Sequence, residues 1–138
     1  MVKWLPPPQG WLKINVDAGL SIAKKRAVSD FIIRNDKGFI MGSGFQGHIL
    51  VHSVVITEAL AVLHGLQFAL DLSFSNVILG SDSRLVVNNI QKSSKHYSES
   101  RPFTWDTKNL ARKFQCCRFQ FIVREENEAV HVMAVKGM

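Results

Sequence analysis

Asp17, Glu58 and Asp82 are the residues of this sequence best placed to do chemistry together. Asp17 ends an alternating run in which Leu12, Ile14 and Val16 share one face and Lys13, Asn15 and Asp17 the other, the two-residue period of a strand. Taken alone it reads better as an ordinary exposed Asp. Glu58 lies on a helical pattern beside Ala61, Gly65 and Ala69, small residues that let a helix lie close to a sheet. A carboxylate at such an interface is costly to desolvate unless a cation meets it. Its plainer reading is a solvated Glu near a helix start, favoured by the macrodipole. Asp82 follows a short apolar run and precedes a helix, a place where it could simply be an N-cap. If the three acids converge at one edge of a sheet, their repulsion calls for cations, and an all-oxygen site suits Mg²⁺ or Mn²⁺.

The elements that must position these acids are legible as patterns. A first strand starts at Trp11 and ends at Asp17; Phe31 to Arg34 and Phe39 to Phe45 form a hairpin about the turn Asn35-Asp36-Lys37-Gly38. Leu60, Leu63, Leu66 and Leu70, spaced by three or four, predict a helix from about Ser53 to Leu72. Val77 to Leu79 reads as a buried strand. After it, Asp82 or Ser83 caps a helix whose inward residues are expected to be Leu85, Val86, Asn89 and Ile90. Lys92 to Arg101 is polar and reads as a loop, and Phe103 to Phe114 as a helix. Phe119, Phe121 and Val123 alternate as a fifth strand, and a short helical piece from about Asn127 to Val135 closes the chain. The order β-β-β-α-β-α-α-β-α implies an α/β fold with a mixed sheet: an antiparallel three-strand meander, then strands that return through helical crossovers.

With 138 residues, 46% of them hydrophobic, the chain has apolar material for one core. The expected division is a Pro-rich leader or severed linker over 1–10, able to tether further domains, and one domain over 11–138. The net charge of +6 makes a polyanionic partner plausible, because cations displace counterions from phosphates. Lys24, Lys25 and Arg26 could touch phosphates or form a solvated turn, and Lys92, Lys95, His96 and Arg101 gather in the polar loop. The only cysteines, Cys116 and Cys117, are neighbours, poorly placed to staple distant segments or to chelate as a CxxC pair. They read as reduced residues of an intracellular protein. No apolar window approaches a membrane span, no signal pattern opens the chain, and a monomer is expected.

Five segments carry a more specific signal. W-L-P-P-P-Q-G-W-L-K-I-N-V-D (Trp4 to Asp17), I-I-R-N-D-K-G (Ile32 to Gly38), T-E-A-L-A-V-L-H-G-L-Q-F-A (Thr57 to Ala69), G-S-D-S-R-L-V-V (Gly80 to Val87) and R-E-E-N-E-A-V-H-V-M-A (Arg124 to Ala134) stand in that order. In order and spacing they resemble the ribonuclease H-like domain abundant in plant genomes, many copies of which look like descendants of non-LTR retroelements. The resemblance covers nearly the whole chain. It implies a ribonuclease H-like fold, a five-stranded sheet of three antiparallel and two parallel strands flanked by helices. It also implies that Asp17, Glu58 and Asp82 hold two divalent metal ions, Mg²⁺ or Mn²⁺, with His131 at the fourth position, where wider family members carry an acid. The reaction implied is endonucleolytic hydrolysis of the RNA strand of an RNA/DNA hybrid. One metal would activate a water and the second would stabilise the leaving 3′ oxygen, roughly 3.5–4 Å away. His131, a poor Mg²⁺ ligand, could shuttle a proton or attract released phosphate, or be a plain surface His. Asn15, Ala18, Gly19, Ser83 and Lys92 would face the substrate.

Two departures from the family pattern bear on turnover. Ala18 stands where the family has Gly after the first Asp, and Val28-Ser29-Asp30-Phe31 replaces a glycine-bearing stretch of the second strand. Side chains there could hinder close backbone approach to RNA, by which such enzymes sense the 2′-hydroxyl. The alternative reading is therefore a catalytically weak or inactive nucleic-acid-binding or interaction module on the same scaffold.

Overall fold

The structure, a computed structural model, describes residues 3–21, 26–49, 54–91 and 101–128. Its elements run β1 (Leu12–Ser21), β2 (Arg26–Asn35), β3 (Ile40–Ile49), α1 (Val54–Asp71), β4 (Asn76–Ser81), α2 (Arg84–Gln91), α3 (Arg101–Ala111) and β5 (Cys116–Phe121). A helical turn at 124–128 follows β5. The strands form one sheet in the order β3-β2-β1-β4-β5. β1, β2 and β3 pair antiparallel, while β4 and β5 run parallel to β1 and to each other. This is the mixed α/β sheet that the pattern and the resemblance imply.

One face of the sheet is built for α1. Ile14 and Val16 on β1 lie opposite Ile33 and Phe31 on β2, and all four are buried. The small stripe lets the helix settle onto them. A Cβ added to Gly65 would stand 3.1 Å from Ile14 Cγ2 and 3.2 Å from Val16 Cγ1, tighter than ordinary packing. Val62, Leu66 and Ala69 complete the contact without exposed surface. Farther out, the Phe31 and Phe68 rings meet with centroids 5.0 Å apart. Gly44 on β3 makes room for them: a Cβ there would come within 2.8 Å of Phe31 Cζ. Phe31, one of the departures from the glycine pattern, is thus spent on the helix-covered face.

Local chemistry sets the element ends. Asn35 Oδ1 accepts hydrogen bonds from the Lys37 and Phe39 N–H groups, and Gly38 takes φ 86°, which closes the β2–β3 hairpin at the expected turn. α1 ends in a Schellman arrangement, with Ser73 at φ 63°, Ser73 N–H bonded to Leu70 O and Phe74 N–H to Ala69 O. At the other end of the chain, Gly10 (φ 83°) and a Trp11 N–H bond to Pro8 O form a turn that folds residues 3–7 back beside β1.

Several expectations need correction. β1 does not stop at Asp17, because β2 pairs with it as far as Ser21; only β4 ends earlier, at Ser81 opposite Val16. β2 and β3 are each longer than their apolar cores suggested, since Ala27 and Ser29 fill inward positions with small side chains. Leu85 is exposed and Val87 is buried in its place on α2. α3 begins at Arg101, inside the segment read as a loop, because Pro102 is tolerated in a first helical turn; it ends at Ala111, and Phe114 is buried from the turn beyond. β5 starts at Cys116 to match Asn76 of β4, and Val123 is exposed past the strand end. The last helical turn begins at 124 rather than 127. Both cysteines are free and half-buried, and burial pushes the Cys117 thiol up to about 12. No described helix is long and apolar enough to cross a membrane.

Candidate active site

The parallel β1–β4 ladder ends at Val16 and Ser81, so the next residue of each strand, Asp17 and Asp82, emerges at the same sheet edge. α1 packs close enough to bring Glu58 to them. One carboxylate oxygen from each of Asp17, Glu58 and Asp82 lies within 4.8 Å of the others. Asp82 is not the helix cap: Ser83 Oγ accepts the Val86 N–H at 3.3 Å, and the Ser83 N–H bonds Ser81 Oγ at 3.1 Å. Asp17 is oriented by the Ala18 N–H, which donates to its Oδ1 at 2.8 Å.

Glu58 carries the strongest electrostatic strain. Only 7% of it is exposed, and Oε2 has no hydrogen-bond partner among the described residues. Burial, then the Asp82 and Asp17 charges, push its carboxyl up to about 8; Arg124 pulls it down and Asp30 adds a further upward push. Burial and Asp17 likewise raise Asp82, against the pull of Arg124, a hydrogen bond to Asn127 and one to its own backbone. The macrodipole reading of Glu58 therefore loses to desolvation and like-charge repulsion.

These residues fit a hard divalent cation. The donors are all carboxylate oxygens, their charges repel, and one buried oxygen lacks a partner.

Of the other residues expected at the site, Ala18 is half-buried, Gly19 is exposed with open space where a Cβ would lie, and Ser83 spends its hydroxyl on the α2 cap. Asn15 is 5% exposed, and its amide is engaged by Trp4, Glu126 and Asn127. His131, Lys92, Lys24, Lys25, Lys95 and His96 lie outside the described residues.

The structure adds residues that sequence reasoning did not select. Asp30 stands directly across from Asp17 on β2. Arg124 is exposed, reaches Glu58 and Asp82 electrostatically and pairs loosely with Glu128 at 3.8 Å. Asn127, 1% exposed, donates to Val16 O at 2.9 Å and accepts from Asn15 Nδ2 at 3.0 Å, besides bonding Asp82. Arg124 and Asn127 lie in the quoted R-E-E-N-E block, but only pairing across the sheet shows what they touch.

Comparisons with known proteins agree with this fold. A family model described as reverse transcriptase-like matches residues 15–137. Among solved structures, RNase H1 from the halophilic archaeon Halobacterium salinarum NRC-1 superposes with a TM-score of 0.79 at 17% identity, covering 93% of this chain and 99% of that one. The N-terminal RNase H domain of rv2228c from Mycobacterium tuberculosis gives 0.74 at 16% identity, over 93% of this chain and 99% of that one. LC11-RNase H1, solved in complex with an RNA/DNA hybrid, gives 0.71 at 16% identity, over 89% and 99%. At these identities the likeness concerns the fold. No curated protein sequence matches the chain.

Proposed function

The chain belongs to the reverse transcriptase-like family with a ribonuclease H-like fold, and from that premise we propose that it hydrolyses the RNA strand of RNA/DNA hybrids with divalent metal at Asp17, Glu58 and Asp82. The observation that carries this reading is the meeting of three carboxylates from β1, α1 and the end of β4, with Glu58 buried and short of a partner. The hybrid bound by LC11-RNase H1 supports the choice of substrate. The finer likeness, to the retroelement-derived domains of plant genomes, rests on the five quoted segments alone and belongs to the same reading.

When bound, Mg²⁺ or Mn²⁺, in one or two sites, would supply charge neutralisation and polarisation of the scissile phosphate and of water. The chain's own groups have separate tasks. Burial and the neighbouring acids push the Glu58 carboxyl up to about 8, which favours its protonated form near neutrality, and a bound cation would favour loss of that proton. The Ala18 N–H fixes Asp17, which presents a defined oxygen, and Asn127 beside Asp82 favours its charged form. Arg124, exposed beside the acids, offers a guanidinium to phosphate oxygens. His131 is assigned the shuttling of a proton or the attraction of released phosphate, and Ala18, Gly19 and Lys92 contact with the substrate backbone.

A labelled RNA/DNA hybrid incubated with the protein and Mg²⁺ or Mn²⁺ tests the reading, with Asp17→Asn as control. Metal-dependent cuts in the RNA strand, lost in the variant, are expected; equal products from both proteins would refute it. One observation favours a second reading, a nucleic-acid-binding module without turnover. Val28 and Asp30 both project from β2 on the Asp17 side of the sheet, and Val28 is 45% exposed there. In that case the hybrid binds, no cleavage occurs, and Asp82→Asn leaves binding intact.

A further inference from the structure

On the sheet face opposite α1, a buried polar cluster joins the two ends of the described chain. Lys13 and Glu126 form an ion pair at 3.1 Å with side chains 2% and 5% exposed. Lys13 Nζ also donates to Leu5 O at 2.9 Å, and the Leu5 N–H donates to Glu126 Oε1 at 3.3 Å. Asn15 Nδ2 is shared between Glu126 Oε2 at 3.3 Å and Asn127 Oδ1 at 3.0 Å, while Asn15 Oδ1 accepts the Trp4 indole N–H at 3.1 Å. The Trp4 ring lies 5.9 Å from Lys13 Nζ and 5.7 Å from the Arg34 guanidinium carbon, roofing the cluster.

Both side-chain polar atoms of Asn127 are engaged beside the acid site or in this cluster. Its amide donates to Val16 O, the carbonyl immediately before Asp17, and its oxygen accepts from Asn15, while its proximity helps hold the Asp82 carboxyl down. An amide has two N–H donors and one carbonyl acceptor, so a single side chain holds the β1 carbonyl next to Asp17 and Asn15 while its remaining N–H favours the charged form of Asp82. The turn that carries Asn127 is itself held by Glu126, which the Leu5 N–H and Lys13 grip from the other side.

We infer that Asn127 is a positioning residue for the metal-binding acids, and that the Trp4–Leu5 segment is the strap that keeps it in place. The inference rests on the metal-site reading above. It gives residues 4–5 a role in the site, although they lie in the segment that reads from sequence as a leader. Partners that orient metal ligands typically contribute ten- to a hundredfold to affinity.

Mn²⁺ binding to the full chain, followed by electron paramagnetic resonance or calorimetry without nucleic acid, tests this. Asn127→Ala is expected to weaken Mn²⁺ binding by roughly tenfold or more. Trp4→Phe, which keeps the ring and deletes the indole N–H, is expected to weaken it by a few-fold, about the effect of one lost hydrogen bond. Asn127→Asp is not expected to rescue, because it removes both N–H donors. Wild-type affinity in a folded Asn127→Ala variant overturns the inference. Should that variant fail to fold, Trp4→Phe decides, and wild-type affinity there overturns it equally. Failure of the wild-type protein to bind Mn²⁺ at all would instead sink the functional reading on which the inference stands.

Discussion

Asp17 and Asp30 are direct cross-strand partners on β1 and β2, so two carboxylates share the site face of the sheet. Like charges opposite one another destabilise a strand pair by roughly 0.2–1 kcal/mol, and Asp30 also adds to the upward push on Glu58. Asp30→Asn should therefore stabilise the metal-free protein by up to about 1 kcal/mol in urea unfolding. Mn²⁺ should still bind the variant, whereas Asp17→Asn should abolish binding. Loss of Mn²⁺ affinity in Asp30→Asn as complete as in Asp17→Asn would make Asp30 a fourth ligand.

The Glu58 carboxyl gives the metal-free protein a pH signature. Its value rises from 4.5 to about 8, so between those limits the folded protein holds a proton that the unfolded chain has lost. This group's contribution to stability is then full below about 4.5, falls as pH rises through the window, and is gone above about 8. Glu58→Gln removes the dependence. At pH 9 without metal the variant should melt higher than wild type, by roughly 4 °C for each 1 kcal/mol, with the difference closing near pH 4. Saturating Mn²⁺ should reverse the order, because only wild type gains the ligand. Parallel melting curves for the two proteins across this range would contradict the account.

The elements of the mixed sheet were legible because alternation and three-to-four spacing report burial directly, as Ile14, Val16, Leu66 and Leu79 show, whereas Asp17 and Asp82 stood out mainly through the family resemblance. Element ends were less so. Pairing with β1 extends β2 back to Arg26 over residues with little apolar signal, and the place of Leu85 depends on how α2 rotates against β4 and β5. Lys13, Asn15, Glu126 and Asn127 were illegible for another reason: each is polar and reads as surface. Their burial comes from one another, across sequence separations of 111 to 113 residues. A single-sequence period contains no term for such long-range pairing.

Gly65 fixes how near α1 comes to the sheet, and hence how near Glu58 comes to Asp17. A Cβ would already sit 3.1 Å from Ile14 Cγ2, so Gly65→Leu must push the helix outward. Overpacking of this kind costs about 1–3 kcal/mol, which thermal melting would register. Mn²⁺ affinity should fall with it even at temperatures where the variant is fully folded, since the Glu58 oxygen withdraws from the other two. A folded variant with undiminished affinity would show that the helix position is not what assembles the acids.

Lys13 and Glu126 are both buried, and such pairs are costly to break from one side. Lys13→Met leaves the Glu126 carboxylate, among the described residues, with the Leu5 N–H and the Asn15 amide as the partners of its side chain, and should destabilise the protein by about 3–5 kcal/mol. Glu126→Gln keeps an oxygen for the Leu5 N–H but sets an NH2 against the Asn15 amide and strands the Lys13 charge, so it too should be destabilising. The double variant Lys13→Met/Glu126→Gln removes both charges and should recover a large part of the loss. Urea unfolding of the four proteins at pH 7 gives the coupling directly. A strongly favourable coupling identifies the pair as the clamp between β1 and the turn at 124–128, whereas simple additivity would mean that the two charges are held independently.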